Sequence, residues 1–182
     1  MTRTDVVVTG VPGAGKTTLA RGLSRQLDLP LLSLDLVKDA LYPELPDVDR
    51  ADLRRATGAV IWDLLADAPG GAVVDIWLEP RRDAGVLAAG LARAGVTTVV
   101  ELLCQVPPAV AVSRYASRVR TAVHLPADQE TLARIRNAAE IIALHELGPG
   151  RLVDTTRPVD IARLAVWVRT AAETAEASTP AE

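Results

Sequence analysis

Gly10-Val11-Pro12-Gly13-Ala14-Gly15-Lys16-Thr17 is the stretch on which the reading of this chain turns. Directly before it lies a β-branched run, Asp5-Val6-Val7-Val8-Thr9, and after it Leu19, Leu23 and Leu27 recur every fourth residue until Asp28 and Pro30. The first pattern predicts a short buried strand, the second a helix. The glycine-rich stretch is therefore the turn between them, and it fits G-x-x-x-x-G-K-[ST] at every fixed position. Glycine allows successive backbone N–H groups to curl around a phosphate with no Cβ in the way, and the new helix adds the positive end of its dipole. Gly10, Gly13, Ala14, Gly15, Lys16, Thr17 and Thr18 are thus candidate nucleotide-binding residues. Lys16 brings a compact charge to the β- and γ-phosphates, and the Thr17 hydroxyl suits Mg²⁺. Among twenty basic residues only Lys16 and Lys38 are lysines, so a lysine at this position is informative. The bland alternative is a glycine-rich strand-to-helix turn with no ligand.

Outward from this turn, strands and helices are predicted to alternate. Leu31–Leu34 reads as a second strand, followed by a short helix that Asp35 would cap and that ends before Pro43. A longer helix is expected over Val48–Ala66, with Leu53, Ala56, Val60 and Leu64 on its buried face. Ala72–Trp77 reads as a third strand, Arg81–Ala94 as a helix closed by Gly95, and Val96–Leu103 as a fourth strand. Helices are expected over Ala109–Arg118, with Pro108 in the first turn, and over Asp128–Leu147. Leu152–Asp154 forms a fifth strand and Val159–Ala175 a final helix. Alternation of this kind implies a parallel sheet covered on both faces. We expect a single domain over 1–175 and a frayed tail over 176–182.

The 182 residues suffice for one domain with a real core, and 49% hydrophobic with 24% charged residues is a globular composition. No apolar run is long enough for a membrane span: Glu101, Gln105 and Pro107 interrupt the best candidate, Val96 to Val112. Met1-Thr2-Arg3-Thr4-Asp5 lacks the layout of a secretion signal, and the lone Cys104 fits a reducing cytoplasm. A net charge of −3, a pI near 5.5 and 3% aromatics with no Phe argue against nucleic acid as partner. The expectation is a small-molecule partner and no membrane; oligomeric state is open.

The form Gly10-x-Pro12-Gly13-x-Gly15-Lys16-Thr17-Thr18, in a chain of this length, resembles the small P-loop kinases. These include the adenylate, shikimate and gluconate kinases and the AAA_33 group, which is related to zeta toxins and chloramphenicol phosphotransferase. GTPases fit poorly, since no [NT]KxD is present and Asp67-Ala68-Pro69-Gly70 precedes the third strand instead of following it. The resemblance implies a three-layer α/β sandwich, a five-stranded parallel sheet in the order 2-3-1-4-5, and a lid over about 114–128.

It also implies roles for particular residues. Shikimate-kinase-like members carry D-x-D at the end of the second strand, where this chain has Ser33 and Asp35. Only the hydroxyl-contacting carboxylate is kept, which makes Asp35 the candidate to orient or deprotonate an acceptor; its alternative is a helix N-cap. Asp75, at the end of Ala72-Val73-Val74-Asp75, occupies the Walker-B-like place and would hold Mg²⁺ with Thr17; its alternative is a solvated strand end. Arg114 and Arg118 lie one helical turn apart and resemble the lid arginines that close over nucleotide, with Arg120 close behind. A basic helix end complementing the dipole is the other reading. Tyr115 or an arginine plane would cover the adenine.

Lys38, Arg54 and Trp77 are candidate substrate-binding residues. Arg50, Arg55, Arg81 and Arg82 would join them for an anionic acceptor, and otherwise are ordinary surface arginines. His124 has no assigned role, His145 is read as a structural helix residue, and Cys104 as a small buried hydrophobe. The expected reaction is transfer of the γ-phosphoryl group of ATP, with Mg²⁺, to a hydroxyl of a sugar, polyol, antibiotic or nucleoside-like molecule. A nucleoside monophosphate kinase and a nucleotide-binding regulatory ATPase are the competing readings.

Overall fold

The computed structural model describes residues 3–45, 47–78, 83, 85–119 and 123–177. Among the described residues five strands alternate with seven α-helices: β1 Val6–Thr9, α1 Lys16–Leu27, β2 Leu31–Ser33, α2 Leu34–Leu41, α3 Arg50–Ala66, β3 Val73–Asp75, α4 Val86–Arg93, β4 Val100–Gln105, α5 Pro108–Ala116, α6 Gln129–Ile141, β5 Gly150–Asp154 and α7 Ile161–Ala177. All strand pairings are parallel, and the sheet order is β2-β3-β1-β4-β5, as expected.

The unbroken Val6-Val7-Val8 run follows from a strand buried on both faces. Val6 and Val8 pack with Leu19 and Leu23 of α1, Ala111 of α5, Ile135 of α6 and Val168 of α7. Val7 packs on the other face with Ile61 and Leu65 of α3 and Leu87 and Leu91 of α4. Two cores on one sheet make three layers. Each large aliphatic side chain fully buried in them contributes roughly 1.5–3 kcal/mol.

Register brings the chemistry-bearing strand ends together. Ser33 of β2 and Val8 of β1 both lie opposite Asp75 of β3, so Asp75 ends its strand between the second strand and the loop that leaves β1. That alignment puts the glycine-rich turn, Ser33 and Asp75 at one edge of the sheet, at the carboxyl ends of its strands.

Several sequence expectations are corrected. In α3 the buried stripe is Leu53, Thr57, Ile61 and Leu65 with Trp62, whereas Val60 and Leu64 are 39% and 46% exposed. Apolar residues occupy several adjoining positions here, so a four-residue period fits more than one stripe. The larger Ile61 and Trp62 go inward, and Thr57 joins them because its hydroxyl donates to the Leu53 carbonyl at 2.7 Å. The helix expected through Leu147 ends at Ile141. Beyond it the buried Glu101 carboxylate of β4 accepts the backbone N–H groups of His145 at 2.7 Å and Leu147 at 2.6 Å, which draws the chain out of helical geometry. His145 is therefore not a helix residue. Ser33, not Asp35, is the N-cap of α2, and Asp35 lies in the helix's first turn. Arg81, Arg82 and Arg120 lie outside the described residues.

Candidate active site

The glycine-rich loop takes the conformation its sequence requires. Gly13 and Gly15 have φ of 88° and 84°, in the left-handed region that favours glycine. A Cβ on Gly13 would collide with the Ala111 carbonyl of α5, so the loop is pressed against that helix. Thr155, just past β5, braces it from another side, its hydroxyl donating to the Ala14 carbonyl at 2.5 Å. Lys16 Nζ donates to the Val11 carbonyl of its own loop at 3.3 Å, which holds the ammonium against the turn.

Asp75 ties the metal-site candidates together. Thr17 Oγ1 donates to Asp75 Oδ2 at 2.7 Å and Ser33 Oγ donates to the same oxygen at 3.0 Å. Two hydroxyls and a buried carboxylate form a hard oxygen set of the kind Mg²⁺ takes, usually completed by waters and substrate phosphates. Ser33, standing where the resemblance places a first aspartate, orients Asp75. The chain's own residues fit a magnesium ion bound with nucleotide.

The loop opens into a cleft of about 610 Å³. Gly13, Gly15, Lys16, Thr17, Thr18, Asp35, Lys38, Arg50, Arg54, Asp75, Trp77, Arg114 and Arg118 all line it, so most of the residues singled out from sequence share one space. Gly10 and Ala14 shape the loop from behind, with Ala14 fully buried. Arg55 points elsewhere and pairs with Asp52 on its own exposed helix face. Among the described lining residues, eight lysines and arginines face three aspartates. Such an excess of positive charge suits a polyphosphate.

Asp35 projects from the first turn of α2, about half exposed. Lys38 Nζ lies 3.4 Å from its Oδ1, one turn along the same helix. Burial acts to raise this carboxyl, but the charges of Lys38, Lys16 and His124 outweigh it and hold Asp35 below the usual carboxylate range. Lys16 of the phosphate loop and Asp35 line the same cleft.

Other candidates prove to be tethered. Arg54 forks onto Asp83, at 2.7 Å and 3.4 Å, so its guanidinium is fixed at the cleft wall. Arg114 sends both terminal nitrogens to the Thr155 carbonyl at 3.0 and 3.1 Å and thereby holds the strut that braces the phosphate loop. Tyr115 is buried in the core and donates its hydroxyl to the Leu125 carbonyl at 2.8 Å; it anchors the far limb of the expected lid. Cys104 is 1% exposed, and burial pushes its thiol up to about 12, which leaves it an inert hydrophobe.

Sequence reasoning missed Arg21, Asp39, Arg134 and Thr155. Arg21 follows Thr17 by one turn of α1, and that spacing was the available signal. Thr155 carried none, because its contact with Ala14 spans most of the chain. His124 went without a role, yet its imidazole stands between Asp35 and Asp39.

Comparison with known proteins places this geometry. The sequence profile of the AAA_33 (AAA domain) family matches residues 6–142. A protein of Chloroflexus aurantiacus described as a candidate kinase superposes with a TM-score of 0.75 at 27% identity, over 94% of this chain and 99% of the other. A gluconokinase from Sinorhizobium meliloti gives 0.61 at 20% identity, over 97% and 98%. A shikimate kinase from Acinetobacter baumannii gives 0.57 at 15% identity, over 92% of each chain. The shared feature is the fold, that of the small P-loop kinases. No curated protein matches the chain.

Proposed function

Because the chain belongs to the AAA_33 family, we propose that it is an ATP-dependent phosphotransferase acting on a hydroxyl of a small molecule. The observation that carries this reading is the common cleft: the phosphate-gripping loop with Lys16 and the carboxylate of Asp35 line the same space. A module that only bound or slowly hydrolysed nucleotide would have no need of a carboxylate there.

In this reading the N–H groups of Gly13 and Gly15 with Lys16 hold the triphosphate. Asp35 accepts a hydrogen bond from the acceptor hydroxyl and aligns its oxygen with the γ-phosphorus. As the new P–O bond forms, the bond to the β-phosphate oxygen breaks, ADP leaves, and the hydroxyl proton passes to Asp35. Thr17 and Asp75, oriented by Ser33, are the residues that would hold Mg²⁺, which when bound neutralises charge on the phosphate oxygens. Arg118 lines the cleft from just beyond α5 and supplies positive charge near the transferring group. Arg114 contributes by fixing Thr155 and, through it, the loop. Trp77 and the Arg54–Asp83 pair form the wall on the acceptor side. An ATP-using enzyme of this kind, with one inert thiol, belongs in the cytoplasm.

The test is an ADP-release screen across sugars, polyols, nucleosides, nucleotides and aminoglycoside-like alcohols, with mass detection of the product and a no-acceptor control. At least one acceptor should stimulate ADP release severalfold over the control and gain one phosphate. ADP release that no acceptor raises, with no phosphorylated product, would favour the regulatory ATPase.

A further inference from the structure

His124 follows the limb of chain that returns from the expected lid, far from α2 in sequence, yet its ring lies against that helix. Nε2 is 2.9 Å from Asp39 Oδ1, and Nδ1 is 3.9 Å from Asp35 Oδ1. Asp35 and Asp39 are four residues apart on one face of α2, so a single imidazole spans both. A carboxylate only accepts, so Nε2 carries a hydrogen and donates it to Asp39, which fixes the ring; in its protonated form the ring also turns an Nδ1–H toward Asp35 as an ion pair. The side chain is 16% exposed, and its neighbours secure the same limb: Val123 is buried and the Leu125 carbonyl is held by Tyr115.

Lys38 also faces Asp35, but it sits on the same helix and moves with it. His124 comes from a separate part of the chain. It gives the position of segment 123–125 a route to the carboxylate that faces the phosphate loop. We propose that His124 is a positioning residue: by bridging Asp39 and Asp35 it docks segment 123–125 on α2 and holds Asp35 in the orientation that phosphoryl transfer uses. Docking of that segment and alignment of Asp35 are then one event. This role rests on the phosphotransferase reading above.

The groups around the ring are known on each side. Asp35 and Asp39 face it from α2, while Lys38 from the same helix and Lys16 from α1 act on Asp35. Removing the imidazole leaves Asp35 with Lys38 on its own helix and Lys16 across the cleft, so the carboxylate stays charged and loses its tether to segment 123–125. The expected defect is one of orientation, falling on the transfer step and sparing nucleotide binding.

The full-length wild type, His124→Ala and His124→Gln would be compared in two arms. Glutamine keeps an amide N–H within reach of Asp39 and so retains the tie. In the first arm, with no acceptor present, backbone hydrogen exchange of residues 123–128 and α2 reads the tie directly. In the second, kcat and KM are measured with an acceptor that the screen identifies, alongside ATP affinity and the thermal midpoint. Alanine should speed exchange in both segments and lower kcat on the order of tenfold to a hundredfold, with ATP affinity within about twofold. Glutamine should recover most of the exchange protection and only part of kcat, since it keeps the tie to Asp39 and lacks the charge facing Asp35. Unchanged exchange, unchanged kcat, or a loss shared equally by ATP affinity would overturn the role. If alanine does not fold, a glutamine variant no better than His124→Asn, which cannot reach Asp39, would overturn it. A wild type that phosphorylates no acceptor removes the parent reading and this role together, while the exchange arm still reports whether the tie exists.

Discussion

Thr17 Oγ1 donates to Asp75 Oδ2 at 2.7 Å, linking the first turn of α1 to the end of β3, the two places whose residues would hold a nucleotide-bound magnesium ion. The contact carries both a structural and a chemical consequence. It fixes the hydroxyl that follows Lys16, and it keeps a buried carboxylate facing the phosphate loop. Asp75→Asn preserves shape but removes the charge. The Mg²⁺ concentration giving half-maximal ADP release should rise about 10–100-fold, with the fold intact by circular dichroism. An unchanged Mg²⁺ titration would remove Asp75 from the metal site.

Lys38 works on Asp35 from one helical turn away. Among the charges that keep Asp35 below the usual carboxylate range, Lys38 is the largest. In Lys38→Met the carboxyl loses that partner, so its pKa rises and a higher pH is needed to keep it ionised. The acidic limb of the kcat/KM profile, which reports the free enzyme, should move to higher pH than in wild type. A limb that stays in place, or moves down, would mean that Asp35 does not set it.

Arg114 was singled out as a lid arginine, and it lies at the end of α5 with its guanidinium committed to the Thr155 carbonyl. Arg114→Ala should cost about 1–3 kcal/mol of stability and weaken ATP binding, since Thr155 braces Ala14. Arg114→Lys, lacking the planar fork, should recover only part of either. Chemical denaturation paired with nucleotide titration separates the two effects. Loss of turnover with stability and affinity intact would instead make Arg114 a group acting on the transferred phosphate.

Glu101 is a buried carboxylate remote from the cleft. Burial would raise it, but the hydrogen bonds from His145 and Leu147 hold it below the usual carboxylate range. A depressed folded-state value means that its contribution is present above the ordinary glutamate pKa and is lost as pH falls through the folded one. Glu101→Ala should destabilise the protein by about 2–4 kcal/mol near neutral pH, because two part-buried N–H groups lose their acceptor. The gap from wild type should narrow on acidification, read as urea midpoints across pH. A gap that is constant, or grows toward acid, would contradict the assignment.

How much of this was legible in the sequence depended on distance along the chain. The phosphate loop declared itself because its strand, turn and helix are contiguous, and the sheet order followed from the resemblance that loop carries. Asp75 was legible as a strand-end carboxylate beside Thr17, though not the Ser33 hydroxyl converging on it. The early end of α6 was invisible because its cause, Glu101, lies on β4. The buried face of α3 was misassigned because apolar residues crowd more than one stripe. The Arg54–Asp83 fork and the His124 bridge join residues that only the folded chain brings together, and no local pattern announces either.

In the proposed reaction Asp35 serves the acceptor while the loop serves ATP. The most direct test is Asp35→Asn, assayed for phosphorylated product with an acceptor found in the screen and for ATP affinity in parallel. Transfer should fall on the order of 10²-fold or more while ATP binds nearly as in wild type. Transfer at the wild-type rate in that variant would contradict the account.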